Sequence, residues 1–257
     1  MSLRFNIISL VVLSGMLSPL AGCGSKNIAD CDGGMSGVPC SEKTPEEQAQ
    51  IYLDQSDFAS TVTYLEQVMV DEPTRYSSFP YLAAAYGGLA GFDIFKALTS
   101  ATSTSLMLEG GFLDAVGSFI PKISVVGESG YAARVTYMTK AVDRLEAMPA
   151  DYRTSTSSVT YIKSAAFMLP IYQMSETAMM LEQFNSAATG DIDPAKLATM
   201  TEAEAEAILN NLSAAAAAAS QGQDAETQAS INEAVAAIQA SPGATNKEKL
   251  QSYMQTQ

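Results

Sequence analysis

Residues 44–73 read TPEEQAQIYLDQSDFASTVTYLEQVMVDEP, and this stretch contains two helix signatures in succession. The first begins with Thr44 and Glu47, which are spaced as a capping box, and with Pro45 between them. Proline is favoured at the first position of a helix because its missing N–H would have no partner there. The pattern predicts a helix over 45–54, with three apolar residues on one face: Ala49, Tyr52 and Leu53.

The second signature predicts a helix over 57–71 that ends before Pro73. Its apolar residues are spaced four, three and four apart, as one face of a helix requires: Phe58, Val62, Leu65 and Met69. We expect Phe58 and Leu65 to pack with Leu82 of the following helix on one inner side of the fold.

Helix signals continue through the remaining chain, and no segment has the alternation of a half-buried strand. Pro170 lies inside the helix predicted over 155–186 and should kink that helix. The methionines of that helix are typical of core filling, with an adaptable ligand surface as the alternative. The sequence therefore predicts an all-α fold with further helices over 80–90 (ended by Gly91), 130–148, 155–186, a short helix capped by Asp193, 201–220 and 224–240.

Residues 42–91 resemble the tetratricopeptide repeat. The likeness is carried by residues of the second helix and its terminal proline: Asp57, Phe58, Leu65, Asp71, Glu72 and Pro73. Thr61 and Val68 depart from the small residues that the repeat has at those positions. Since a repeat and a half cannot form a stable solenoid, the resemblance implies TPR-like helical hairpins extended into an irregular α-helical bundle or solenoid.

Tyr52 and Tyr86 lie 34 residues apart, which is the length of the repeat. Both fall at the tyrosine position of the repeat's first helix. The resemblance implies that they face an inner groove, the surface that helix stacks generally use for binding. The alternative is that both tyrosines only pack between helices.

The first 23 residues have a pattern that predicts an export signal. One cation, Arg4, precedes an apolar run over 7–17 that is too short to span a bilayer, and Leu20-Ala21-Gly22-Cys23 follows. This order resembles a bacterial lipoprotein signal. It implies a signal peptide over 1–22 and acylation of Cys23, and Gly24 implies an outer-membrane location, most simply facing the periplasm. An ordinary secretory signal with a chance cysteine is the alternative.

Residues 23–43 have the Gly, Ser, Asp and Pro content of a flexible tether. Cys31 and Cys40 lie within it, and they can form a disulfide in an oxidising envelope or remain free thiols. Residues 44–257 are expected to form a single α-helical domain, in which the alanine-rich helical tail over 189–257 buries little apolar area.

The composition of the chain argues against several classes of function. The chain has 257 residues, with 14 Lys and Arg against 28 Asp and Glu, and its net charge of −14 argues against a nucleic-acid partner. It contains no histidine, which removes Ser-His and Cys-His catalysis. No phosphate-binding loop or dinucleotide fingerprint occurs, and carboxylate pairs such as Glu66 with Asp71 are typical of solvated faces. We therefore expect no enzyme, no cofactor and no metal.

These features favour a membrane-anchored lipoprotein that acts as a non-enzymatic binding scaffold for another envelope protein or a peptide. The alternative is a carrier of small hydrophobic ligands or an accessory of a transporter. Its support is the apolar, glycine-containing segment over 93–127, and above all 106–120, which would line a cavity with the methionine-rich helix. That segment is also typical of a short buried helix pair, of a flap, or of a surface lying on lipid or a partner.

Overall fold

The computed structural model describes residues 43–92, 120–154, 156–222 and 225–255, all within the unit Lys43–Gln257. These ranges contain nine α-helices, two short 3₁₀ helices and no β-strand, so the fold is all-α as predicted. The predictions for the signal peptide, Cys23, Cys31, Cys40 and the segment over 93–119 lie outside the described residues.

The helices are α1 Pro45–Asp54, α2 Phe58–Asp71, α3 Phe79–Ala90, α4 Ile123–Glu146, α5 Thr160–Glu182, α6 Pro194–Thr199, α7 Glu202–Gln221, α8 Ala225–Ala240 and α9 Asn246–Gln255. The 3₁₀ helices Tyr76–Ser78 and Ala150–Tyr152 precede α3 and follow α4.

Local capping signals set most of these boundaries. The Thr44 hydroxyl accepts the Glu47 N–H at 3.2 Å, and the Glu47 carboxylate accepts the Thr44 N–H at 2.8 Å. Thr201 and Glu204 make the same reciprocal pair before α7. Gly91 ends α3 in the left-handed conformation, with φ of 83°. The predicted ends of α1, α2, α3 and α7 are therefore confirmed to within one residue.

The start of α4 was predicted seven residues too late, at 130 instead of Ile123. A short helical piece precedes Gly127, whose φ of 71° interrupts the helical conformation. The first turn has no cap from the Lys122 side chain. The carboxylate of Glu182, at the end of α5, accepts the Ile123 N–H at 3.1 Å and the Lys122 ammonium at 3.2 Å. A cap from a distant helix leaves no signal in the local sequence.

Helices α5 and α9 also differ from the predictions. The helix predicted over 155–186 is α5, Thr160–Glu182, and it continues through Pro170. Helix α9 was not predicted, although Thr245 and Glu248 form a third capping box before it. The Glu248 carboxylate accepts the Thr245 N–H at 3.2 Å, which is the reciprocal contact that a capping box requires.

Helix α5 lies at the centre of the packing. It contacts α3, α4, α7 and both 3₁₀ helices, while α1 to α4 each contact the next helix in the chain. Every residue from Met168 to Met179 except the half-buried Ile171 is buried, and four of the buried residues are polar: Gln173, Ser175, Glu176 and Thr177. Met168, Met174 and Met179 fill the core, as the sequence predicted for the methionine-rich helix.

The core beneath α2 and α3 contains two of the three residues expected there. Leu65 and Leu82 are fully buried in the same hydrophobic cluster. Phe58 is half-buried and lies outside that cluster, with its ring against the α3 backbone at Gly88. A Cβ atom at Gly88 would overlap the ring, so the missing side chain of this glycine is what lets Phe58 lie there.

Candidate functional site

A recess of about 340 Å³ lies where α2, α3 and α4 meet. Helix α2 contributes Glu66 and α3 contributes Tyr86, while α4 contributes three charged residues: Lys140, Asp143 and Arg144. The recess is thus built from the predicted repeat region and from the helix that packs on it. Among the predicted groove residues, Tyr86 lines it and Tyr52 does not.

Tyr86 is the fixed element of the recess. Only 1% of its surface is exposed, and its hydroxyl donates a hydrogen bond to the Glu66 carboxylate. Burial, followed by the hydrogen bond to Glu66, raises the pKa of Tyr86 above its ordinary value of 10. The phenol therefore stays protonated at physiological pH and acts as a donor, not as a base.

Helix α4 covers Tyr86 with an aromatic ring and a cation. The Tyr137 ring lies nearly parallel to that of Tyr86, with 6.4 Å between the centroids and 23° between the planes. The Lys140 ammonium lies 5.4 Å from the Tyr86 centroid and 6.0 Å from that of Tyr137, in cation–π range. Tyr137, Lys140 and Arg144 follow at intervals of three and four, which places them on one face of α4.

The charges of the recess balance, with two carboxylates and two cations. The Glu66 carboxylate is engaged by Tyr86, and the Arg144 guanidinium lies beside the Tyr86 hydroxyl. Within the described part of the chain, neither Lys140 nor Arg144 forms an ion pair. The recess therefore presents two cationic groups whose charges are not directly paired.

Tyr52 lies elsewhere. Its ring meets that of Tyr64 edge to face, with centroids 6.1 Å apart and planes at 72°. Tyr64 and Glu66 are two residues apart on α2, and such residues point to different sides of a helix. Tyr52 and Tyr86 thus contact different sides of α2.

A second recess, of about 380 Å³, lies beside the start of α4. Its polar groups are largely paired within the protein. The Lys196 ammonium lies 2.7 Å from the Glu128 carboxylate, and the Tyr131 hydroxyl donates to the Met179 carbonyl at 3.0 Å. The recess beside Tyr86, where Lys140 and Arg144 lack ion pairs, is the stronger candidate for binding.

Glu176 is a buried carboxylate on α5, with 7% of its surface exposed. It accepts hydrogen bonds from the Thr139 hydroxyl at 2.6 Å and from the Asn211 amide at 3.0 Å. Burial is the main cause that raises the pKa of Glu176, and the nearby charges of Asp143 and Glu146 act in the same direction. Glu176 thus joins α4, α5 and α7 through hydrogen bonds.

Sequence reasoning identified Tyr86 but not Glu66, Lys140, Asp143 or Arg144 as parts of one site. The spacing of Lys140 and Arg144 on α4 was a usable signal, because cations four residues apart share a helix face. That this face meets Tyr86 depends on α4 packing against α3, which no local pattern reveals.

Within the described residues, no three cysteine or acidic side chains are grouped so that they could hold a metal ion. None of the described helices combines the length and the apolar character needed to cross a membrane. No protein-family model, curated protein or solved structure matches the chain.

Proposed function

We propose that this protein is an outer-membrane lipoprotein that faces the periplasm and acts as a non-enzymatic scaffold, binding another envelope protein or a peptide. The anchor in this proposal is Cys23, because the Leu20-Ala21-Gly22-Cys23 sequence resembles a lipoprotein signal. Two or three acyl chains hold a protein stably on a membrane, where a single chain is marginal.

The observation that carries the binding role is the recess around Tyr86. Its aromatic floor is held in place by burial, by the hydrogen bond to Glu66 and by the neighbouring Tyr137 ring. Tyrosine and arginine are enriched among the residues that dominate binding energy at protein interfaces, and the recess contains both. A rigid aromatic floor also reduces the ordering cost of association.

The same geometry supports binding over catalysis. A general base near neutral pH needs a proton-accepting group whose pKa lies near that pH. The pKa of Tyr86 is raised away from that range, and the chain contains no histidine. The order of α1, α2 and α3 within the predicted repeat region further supports helical hairpins that present a binding surface.

Site-specific photo-crosslinking in living cells tests this function. A benzophenone amino acid at Tyr137 keeps an aromatic ring beside the recess and should form a discrete cross-linked product with one envelope protein or peptide. The matched control places the same amino acid at Glu206, which is exposed on α7 and does not line the recess. The proposal fails if position 137 gives no product, or only the products that position 206 gives.

A further inference from the structure

We infer that the recess beside Tyr86 binds the carboxylate of an extended peptide segment, which is held between the side chains of Lys140 and Arg144. This inference rests on the proposed scaffold function and names the chemistry of its partner. The anionic group would come from the end of the peptide or from an aspartate or glutamate side chain.

The first argument is that neither cation of the recess is held in an ion pair within the described part of the chain. Lys140 and Arg144 are four residues apart on α4, and like charges at that spacing destabilise a helix. Both line the recess, and neither has an ion-pair partner within the described ranges. A carboxylate between them would remove their repulsion and accept charge-assisted hydrogen bonds from both side chains.

The second argument is that both cations are already oriented. The Lys140 ammonium is held over the rings of Tyr86 and Tyr137, and Arg144 is half-buried with its guanidinium beside the Tyr86 hydroxyl. A long side chain loses rotamer freedom when it binds a ligand, and this cost is smaller where the side chain is held beforehand. The aromatic floor thus prepares the two cations for one anionic group.

The third argument separates a carboxylate from a phosphate. Glu66 and Asp143 bring two negative charges into the same recess, and the whole chain carries a net charge of −14. Lys140 and Arg144 offset those two charges locally, so it is the net charge of the whole chain that repels a group with two negative charges more than a group with one. A peptide carboxylate has one charge and has amide N–H groups next to it, from which the Asp143 carboxylate can accept hydrogen bonds. At about 340 Å³ the recess lies at the small end of ligand sites.

Nuclear magnetic resonance titration of the isotopically labelled full chain in detergent solution tests this inference. The probes are N-acetyl-trialanine with a free carboxylate, the same peptide as its amide, the N-acetyl Ala-Glu-Ala amide, and inorganic phosphate. We expect saturable shifts of the amides over 137–146 with the free acid or the glutamate peptide, and at least tenfold weaker binding of the uncharged amide and of phosphate. Tighter binding of the trialanine acid would identify a terminal carboxylate as the ligand, and tighter binding of the glutamate peptide would identify a side-chain carboxylate.

Variants locate the binding. The double variant Lys140→Gln and Arg144→Gln should weaken binding of the acidic peptide at least tenfold, and each single variant should weaken it measurably. Lys163→Gln, which removes one positive charge on an exposed part of α5 and is the control for each single variant, should leave binding unchanged. Equal binding of acid and amide, equal or tighter binding of phosphate, or binding that survives in the double variant would overturn the inference.

If cross-linking at Tyr137 persists while the acidic peptides do not bind, the scaffold function stands and only the carboxylate inference fails. If the acidic peptides bind but Tyr137 gives no specific product, the scaffold function fails and the anion site remains.

Discussion

Truncation of Leu65 to alanine tests the packing of α2 on α3 under the proposed binding surface. Leu65 has no exposed surface and shares a hydrophobic cluster with Leu82 and Tyr86. The change removes three carbon atoms, which is worth about 2.4 kcal/mol of transfer free energy at about 0.8 kcal/mol for each buried group. The cavity left behind adds to this loss, so we expect the free energy of unfolding to fall by about 2–5 kcal/mol.

The assay is urea unfolding followed by far-ultraviolet circular dichroism, on protein without residues 1–22 and with Cys23→Ser. The control is Gln67→Ala, two positions away on the exposed side of α2, which should change the free energy of unfolding by less than about 0.5 kcal/mol. Equal small effects at Leu65 and Gln67 would show that Leu65 is not in a core. The assignment of a repeat-like hairpin would then be wrong as well.

Three further changes have defined outcomes. Gly88→Ala should cost about 1–3 kcal/mol of stability because the new methyl group overlaps Phe58, and adding Phe58→Ala should recover part of this loss in a double-mutant cycle; strict additivity would refute the contact. Glu176 has a folded-state pKa raised above 4.5, so its contribution to stability is present below about pH 4.5 and is lost as the pH rises through the folded value. Glu176→Gln should therefore gain stability relative to the parent as the pH rises above about 4.5 in urea unfolding, and a difference that does not change with pH would contradict this assignment. Cys23→Ser should move the protein from the membrane to the soluble fraction of cells, and retention on the outer membrane at high salt would refute the acyl anchor.

Most of the correctly predicted helix boundaries have local causes, although the local capping box of Thr245 and Glu248 before α9 was missed. Thr44, Thr201 and Gly91 act within four residues of the helix ends that they set. The start of α4 was predicted wrongly because Glu182, its capping group, lies 59 residues later in the chain. Phe58 was expected in the core because of its spacing, but its surroundings depend on Gly88 of another helix.

The candidate site was predictable only in part, for a related reason. Tyr86 was identified because it lies at the tyrosine position of the repeat that this region resembles, 34 residues after Tyr52 in the sequence. The tertiary packing of α3 on α4 brings Lys140 and Arg144 to Tyr86, and these two helices are separated by residues 91–122. Spacing within α4 shows that the two cations share a face, but it does not show what that face meets.

The cap on α4 has a consequence for which parts of the fold depend on one another. Glu182, the group that secures the Ile123 N–H, lies on α5, so this cap exists only when α5 is packed against the start of α4. Without α5, the Ile123 N–H would be left to water, as the first N–H groups of a helix are when no side chain caps them. The first turn of α4 before Gly127 therefore depends on the docking of α5, whereas the rest of α4 does not depend on this cap.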